Sequence, residues 1–219
     1  MYGYDPAPRR DPSTPAQWWF TVLFMAGILG LFVADICHDY TSIKLSALLV
    51  LLFWIPLLLL HEAGHAIVAW VLGWHVSQVV IGMGKSLGSF RIGSAGIEIR
   101  MFPIEGFVRS VPNNLSLPGF KHALIYLAGP GADLLVAFTT LALVGPDRLF
   151  NASDNYWDIL WQSLAMAGAT QGVMNLIPMS ISTPQGYIPN DGLGIILSLL
   201  RPSSAYAEVL KQADDDEPE

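Results

Sequence analysis

Apolar residues run along this chain in long blocks, and the polar residues gather between them. Four blocks, Trp18 to Cys37, Leu45 to Gly73, His122 to Val144 and Trp157 to Ile177, are followed by a shorter apolar piece, Leu193 to Leu200. About 20 apolar residues in a helix span the hydrocarbon core of a bilayer, so the four blocks predict transmembrane helices. Tryptophans stand at several block ends (Trp18, Trp19, Trp74, Trp157 and Trp161), where indole suits the membrane–water interface. The connection from His75 to Lys121 has a different rhythm. It is glycine-rich, with short alternating runs such as GIEIRMF, and predicts a β-hairpin. The expected fold is an α-helical polytopic membrane protein with about four transmembrane helices and a short β-hairpin on the cytoplasmic side.

The flanks differ from this middle. Residues 1–16 are polar and proline-rich, which predicts a disordered tail and excludes a cleavable signal peptide. Residues 17–201 form the expected membrane core, with the hairpin-containing connection at 74–121, and 202–219 read as an acidic tail.

Composition narrows the class. Of 219 residues, 53% are hydrophobic and 13% charged, which argues against an ordinary soluble domain. The net charge of −7 is concentrated at the end, where DDDEPE holds five of the eighteen acids, so it predicts a solvated end and no nucleic-acid partner. A lone cysteine, Cys37, excludes an intramolecular disulfide. With four crossings, Arg9, Arg10, Lys85, Arg91, Arg100, Arg109, Lys121, Arg201 and Lys211 share one side and only Lys44 and Arg148 the other. The basic side predicts cytoplasmic N- and C-termini.

Candidate chemistry lies inside the second block, in LLLLHEAGHAIVAW. On a helix, His61 and His65 are one turn apart on one face, so both imidazoles can reach one metal ion. Glu62 stands about 100° around from His61, placed to take a proton from a water on the metal without being a ligand. Unpaired ionisable groups at this depth are costly, and a shared zinc ion would satisfy all three. A catalytic zinc usually takes three protein ligands. Asp191, in the broken NDG segment before LGIILSLL, is the candidate third; as the residue opening a helix it is alternatively an N-cap. Asp133, inside the third block, is either a hydrogen-bonded packing group or a competing ligand. GMGKS, residues 82–86, invites a nucleotide reading, but a phosphate loop needs a glycine where Val79 stands.

HEAGH, LAGPGADLLVA, PIEGFVR and NLIP followed by DG, in their order along residues 45–200, resemble the site-2 protease family of intramembrane zinc metalloproteases. The resemblance implies cleavage of a peptide bond within or beside a transmembrane helix of a membrane-protein substrate. It implies one zinc ion on His61, His65 and Asp191, Glu62 as base, and Asn175 holding substrate or the developing oxyanion. The hairpin would lie against the bilayer near the site. Its edge near Gly96 to Arg109, including Gly106, Phe107 and Val108, would pair with an unwound substrate segment by strand addition. Two features differ from the family pattern: twelve residues separate Pro178 from Asp191 where the family has only a few, and Asp133 stands where asparagine is common. The reading from another class is a metal-binding membrane transporter or scaffold without peptidase activity. The oligomeric state is not legible in the sequence.

Overall fold

The computed structural model describes residues 15–183 and 186–215. The lead-in 1–14 and the last residues of the acidic tail, 216–219, lie outside the described residues, as does the side chain of Trp18. Within them, Pro15 and Ala16 already belong to the first helix, and most of the expected C-terminal tail is helical.

Apolar blocks close into helices because each backbone N–H and C=O is then paired within its own segment, as a lipid environment requires. Helices α1 (Pro15–His38), α2 (Leu45–Val71) and α3 (Pro118–Val144) match the first three blocks. A short α4 (Pro146–Phe150) leads into α5 (Tyr156–Leu176), which matches the fourth and is capped by Asn155 accepting from Trp157 N at 2.9 Å. The apolar piece near the end is α6 (Asp191–Leu200), and α7 (Ser203–Asp215) follows it.

Two helices among the described residues, Ser42–Val71 and Pro118–Val144, are long and apolar enough to cross a membrane, and the number rises to three if α6 and α7, bent by 104°, are one span. The expected count of four is therefore not established by the helices themselves. In α5 the reason is visible, since Ser163, Gly168, Gln171 and Gly172 form a buried polar or small face that dilutes its apolar character. In α1 the apolar run is the shorter Val22–His38.

Helices α2, α3 and α5 pack on one another, and α6 lies along α3. At one end of this core the turn into α2 meets the start of α5, with Tyr40 Oη 3.0 Å from Tyr156 Oη and Ser42 Oγ donating to Asp154 at 3.0 Å. The β-structure joins the other end. Strand β1 (Trp74–Ile92) pairs antiparallel with β2 (Ala95–Pro112), so the hairpin has long strands rather than the short ones expected, and Gly96 to Arg109 lies within β2. Its register is double. Gln78, Val79, Val80 and Ile81 pair with Arg109, Val108, Phe107 and Gly106, and again with Gly96, Ile97, Glu98 and Ile99. These β1 residues thus have both edges occupied, whereas the Gly106–Arg109 part of β2 is paired on one edge. The GMGKS segment lies inside β1, where Gly82 takes φ +92° and a Cβ would come 2.8 Å from the Phe102 carbonyl oxygen. It is a bend in a strand, not a phosphate loop.

Trp74, expected at the interface, is buried instead. Its ring lies 5.0 Å from His122 and 6.2 Å from Tyr206 of α7. The twelve residues between Pro178 and Asp191 hold a second antiparallel pair, β3 (Ser180–Thr183) and β4 (Gly186–Pro189).

Candidate metal centre

Helix α2 carries His61, Glu62 and His65 into the core between α3 and α6, and all three side chains are buried. One helical turn places the two imidazoles on a common face, with ring centroids 4.8 Å apart. Each ring is fixed through its Nδ1. That of His65 faces the Ile125 carbonyl oxygen at 2.6 Å, and that of His61 faces Asp133 Oδ2 at 2.7 Å. A carbonyl oxygen only accepts, so His65 Nδ1 carries the proton and its Nε2 presents a lone pair. The carboxylate of Asp133 orders His61 in the same way. Pro130 offers no N–H to the Tyr126 carbonyl, and in the same turn α3 gives the Ile125 carbonyl to His65.

The two Nε2 atoms are 3.1 Å apart. Asp191, the first residue of α6, completes the set, with Oδ2 3.0 Å from His61 Nε2 and Oδ1 3.4 Å from His65 Nε2. The ligand atoms of these three residues all lie within 4.8 Å of one another. Electron-pair donors converging at this distance in a buried site repel one another unless a cation lies between them, so the residues fit a divalent metal such as zinc. The close approach of α3 is possible because Gly129 has no side chain; a Cβ there would collide with His65 Nε2 and His61 Nε2.

Asp133 is fully buried and accepts from His61 Nδ1, on the side of the ring away from the His61–His65–Asp191 cluster. Its other oxygen, Oδ1, and Glu62 Oε2 are buried without a hydrogen-bond partner among the described residues. Glu62 is also covered by β2, since a Cβ on Gly106 would lie 2.5 Å from its Oε1. Strand β2 therefore brings Gly106, and with it Phe107 and Val108, to the carboxylate. The Nδ2 of Asn175 donates to the Gln171 carbonyl at 3.1 Å, back along its own helix. The N-cap of α6 is Asn190, not Asp191, with Asn190 Oδ1 accepting from Leu193 N at 3.2 Å. Sequence reasoning missed Asn190, although an asparagine immediately before an apolar helix is a capping signal.

Residues 47–148, which hold HEAGH and Asp133, match the family model described as Peptidase family M50. A relative from Mycolicibacterium smegmatis, "Putative zinc metalloprotease Rip2", is 25% identical over an alignment covering 91% of this chain and 76% of its own length. Over residues 47–148 the chain is similar to peptidase family M50, the site-2 protease family. A similarly named relative from Clostridium perfringens is 41% identical over 27% of this chain, and the chloroplastic membrane metalloprotease ARASP of Arabidopsis thaliana is 38% identical over 26% of it. The matched parts cover only 18% and 13% of those two relatives. The apolar helices of this chain support membrane association.

Proposed function

We propose that this protein is an intramembrane zinc metalloprotease that hydrolyses a peptide bond in or next to a transmembrane segment of a membrane-protein substrate. The observation that carries the reading is the convergence of His61 Nε2, His65 Nε2 and an Asp191 carboxylate beside a buried, unpartnered Glu62. His61, His65 and Asp191 would hold the ion, and the hydrogen bonds that His61 and His65 Nδ1 donate to Asp133 and the Ile125 carbonyl would keep both imidazoles in the ligating tautomer. When bound, zinc would supply Lewis acidity, polarising the scissile carbonyl and acidifying a water. Glu62 would take the water's proton and return it to the leaving amine.

The burial of Glu62 strengthens its electrostatic hold on a reacting group, while the Gly106–Val108 edge of β2 meets the other requirement. A substrate helix must unwind before its carbonyls can be attacked, and an unwound segment needs new hydrogen-bond partners. β2 is unpaired by β1 on that edge and runs past Glu62, so an added strand would place a peptide bond beside the base. Asn175, whose Nδ2 donates one N–H to the Gln171 carbonyl, would offer the rest of its amide to the substrate. Four crossings with cytoplasmic termini are part of the same proposal.

Glu62→Gln tests it. The variant should keep its zinc, since Glu62 is not a ligand, and lose nearly all cleavage of a transmembrane peptide. Near-wild-type cleavage by that variant would end the metalloprotease reading and favour a transporter or scaffold.

A further inference from the structure

Twelve residues separate Pro178 from Asp191, enough chain to swing a carboxylate away from the histidines. It stays beside them, and one side chain accounts for this. We propose that Asn190 is a positioning residue, a latch that ties the start of α6 to the end of α5 so that Asp191 faces His61 and His65 whatever the β3–β4 pair does. The proposal rests on the metalloprotease reading of the same site.

Asn190 uses both halves of its amide. Oδ1 accepts from Leu193 N at 3.2 Å, capping α6, and from Met179 N at 2.9 Å. Nδ2 donates to the carbonyls of Asn175 at 3.2 Å and Ile177 at 2.7 Å. Those carbonyls lie at the C-terminal end of α5, where helix geometry leaves acceptors without partners. The main chain adds a further bond, Asn190 N to Met179 O at 2.9 Å. The two ends of the insert are thereby held at one point, and Ser180 to Pro189 emerge from it as a hairpin whose strands pair with each other. Asp191 is the next residue. The bridge to two carbonyls needs two donor N–H groups beside the capping oxygen; serine and threonine offer a single donor and ionised aspartate none. Gly192 supports the same geometry, because a Cβ there would collide with the Leu176 carbonyl at the end of α5.

The test uses the purified full chain in detergent, with cobalt(II) as the probe, because its visible spectrum reports ligand number and geometry apart from activity. Asn190→Ser keeps a cap and removes the bridge, so it and Asn190→Ala should both alter the cobalt spectrum and weaken cobalt affinity by about 10- to 100-fold. A wild-type spectrum and affinity for Asn190→Ser would overturn the proposal, leaving Asn190 a helix cap. In a second variant, residues 180–189 are replaced by two glycines while Asn190 is kept; it should retain the wild-type spectrum. Loss of cobalt by that variant with unchanged helicity would also overturn the latch, since the hairpin itself would then place Asp191. Failure of the wild-type chain to take up cobalt at all would instead sink the metal-site reading, and the latch with it.

Discussion

His61, Glu62, His65 and Asp133 are between 0% and 7% exposed, whereas Leu87, Phe90 and Ile92, far along the β1–β2 pair, are 50% to 65% exposed. The first region thus hides its ionisable groups and the second presents apolar ones, an inversion of the usual soluble arrangement. The difference teaches how each region is held. Buried polar groups must be matched by partners, and in the cradle a carbonyl holds His65, a carboxylate holds His61, and the Asn190 bonds tie down the start of α6 beside Asp191. The hairpin is held by its own strand pairing. Substitutions in the cradle should therefore change metal binding, and substitutions in the sheet should change turnover while the metal stays.

The largest effect expected is in the cradle. Asp191→Ala should abolish tight zinc binding and cleavage, because a ligand is gone. Asp133→Ala should weaken zinc by about 10- to 100-fold, the usual cost of removing a group that only orients a ligand. Metal analysis of the two folded variants decides the ranking. The reverse order would place Asp133 among the ligands and break the contrast between the two aspartates.

Gly106 stands where the two regions meet. Adding a methyl in Gly106→Ala puts a Cβ against Glu62 Oε1 at 2.5 Å, so either the carboxylate or the strand must move. Misplacement of a catalytic group by about 1 Å costs roughly 100-fold in rate. Cleavage should fall by about that factor with zinc content unchanged. A loss of zinc instead would mean that the sheet helps to hold the cradle.

The cradle was largely legible in the sequence because helices are local. HEAGH at one-turn spacing gives the common face of His61 and His65 with no knowledge of the rest of the chain. Asp191 was legible as a residue type before an apolar helix, but not its position, which depends on Asn190 meeting carbonyls 13 and 15 residues earlier. The partner of Asp133 was not legible at all, since His61 lies 72 residues away and only the packing of α3 on α2 joins them. Alternation marked the strands of the connection, yet the double register of Gln78–Ile81, paired with two separate parts of β2 beside a bend at Gly82, is not legible from alternation. Trp74 misled for a related reason. A tryptophan at a block end suits an interface until another element, here α7 with Tyr206, covers it.

A smaller effect is expected along the β2 edge. If Gly106–Val108 pairs with substrate backbone, Phe107→Pro or Val108→Pro should remove a ladder donor. One hydrogen bond contributes about 1 kcal/mol net, so cleavage should drop by roughly five- to tenfold, with zinc intact. Unchanged cleavage of a membrane substrate by both variants would move substrate binding away from this edge.

The smallest effect concerns the sheet alone. Arg100 Nε donates to Glu98 Oε1 at 3.0 Å, and this bond holds the Glu98 carboxyl below its ordinary pKa. A carboxyl whose pKa is depressed on folding contributes stability that is fully present above its unfolded value, about 4.3, and is lost as the pH falls through the folded one. The pair is largely solvent-screened, so its contribution is at most about 1 kcal/mol. Amide-exchange protection of the Gly96–Ile99 segment should consequently fall, by no more than about fivefold, between neutral pH and pH values well below the unfolded carboxyl range. Glu98→Gln should show the lower protection at neutral pH and lose that pH dependence, while its zinc affinity at neutral pH equals the wild type's. An altered zinc affinity in this variant would show that the exposed sheet and the buried cradle are coupled through β2, against the separation that their opposite burial implies.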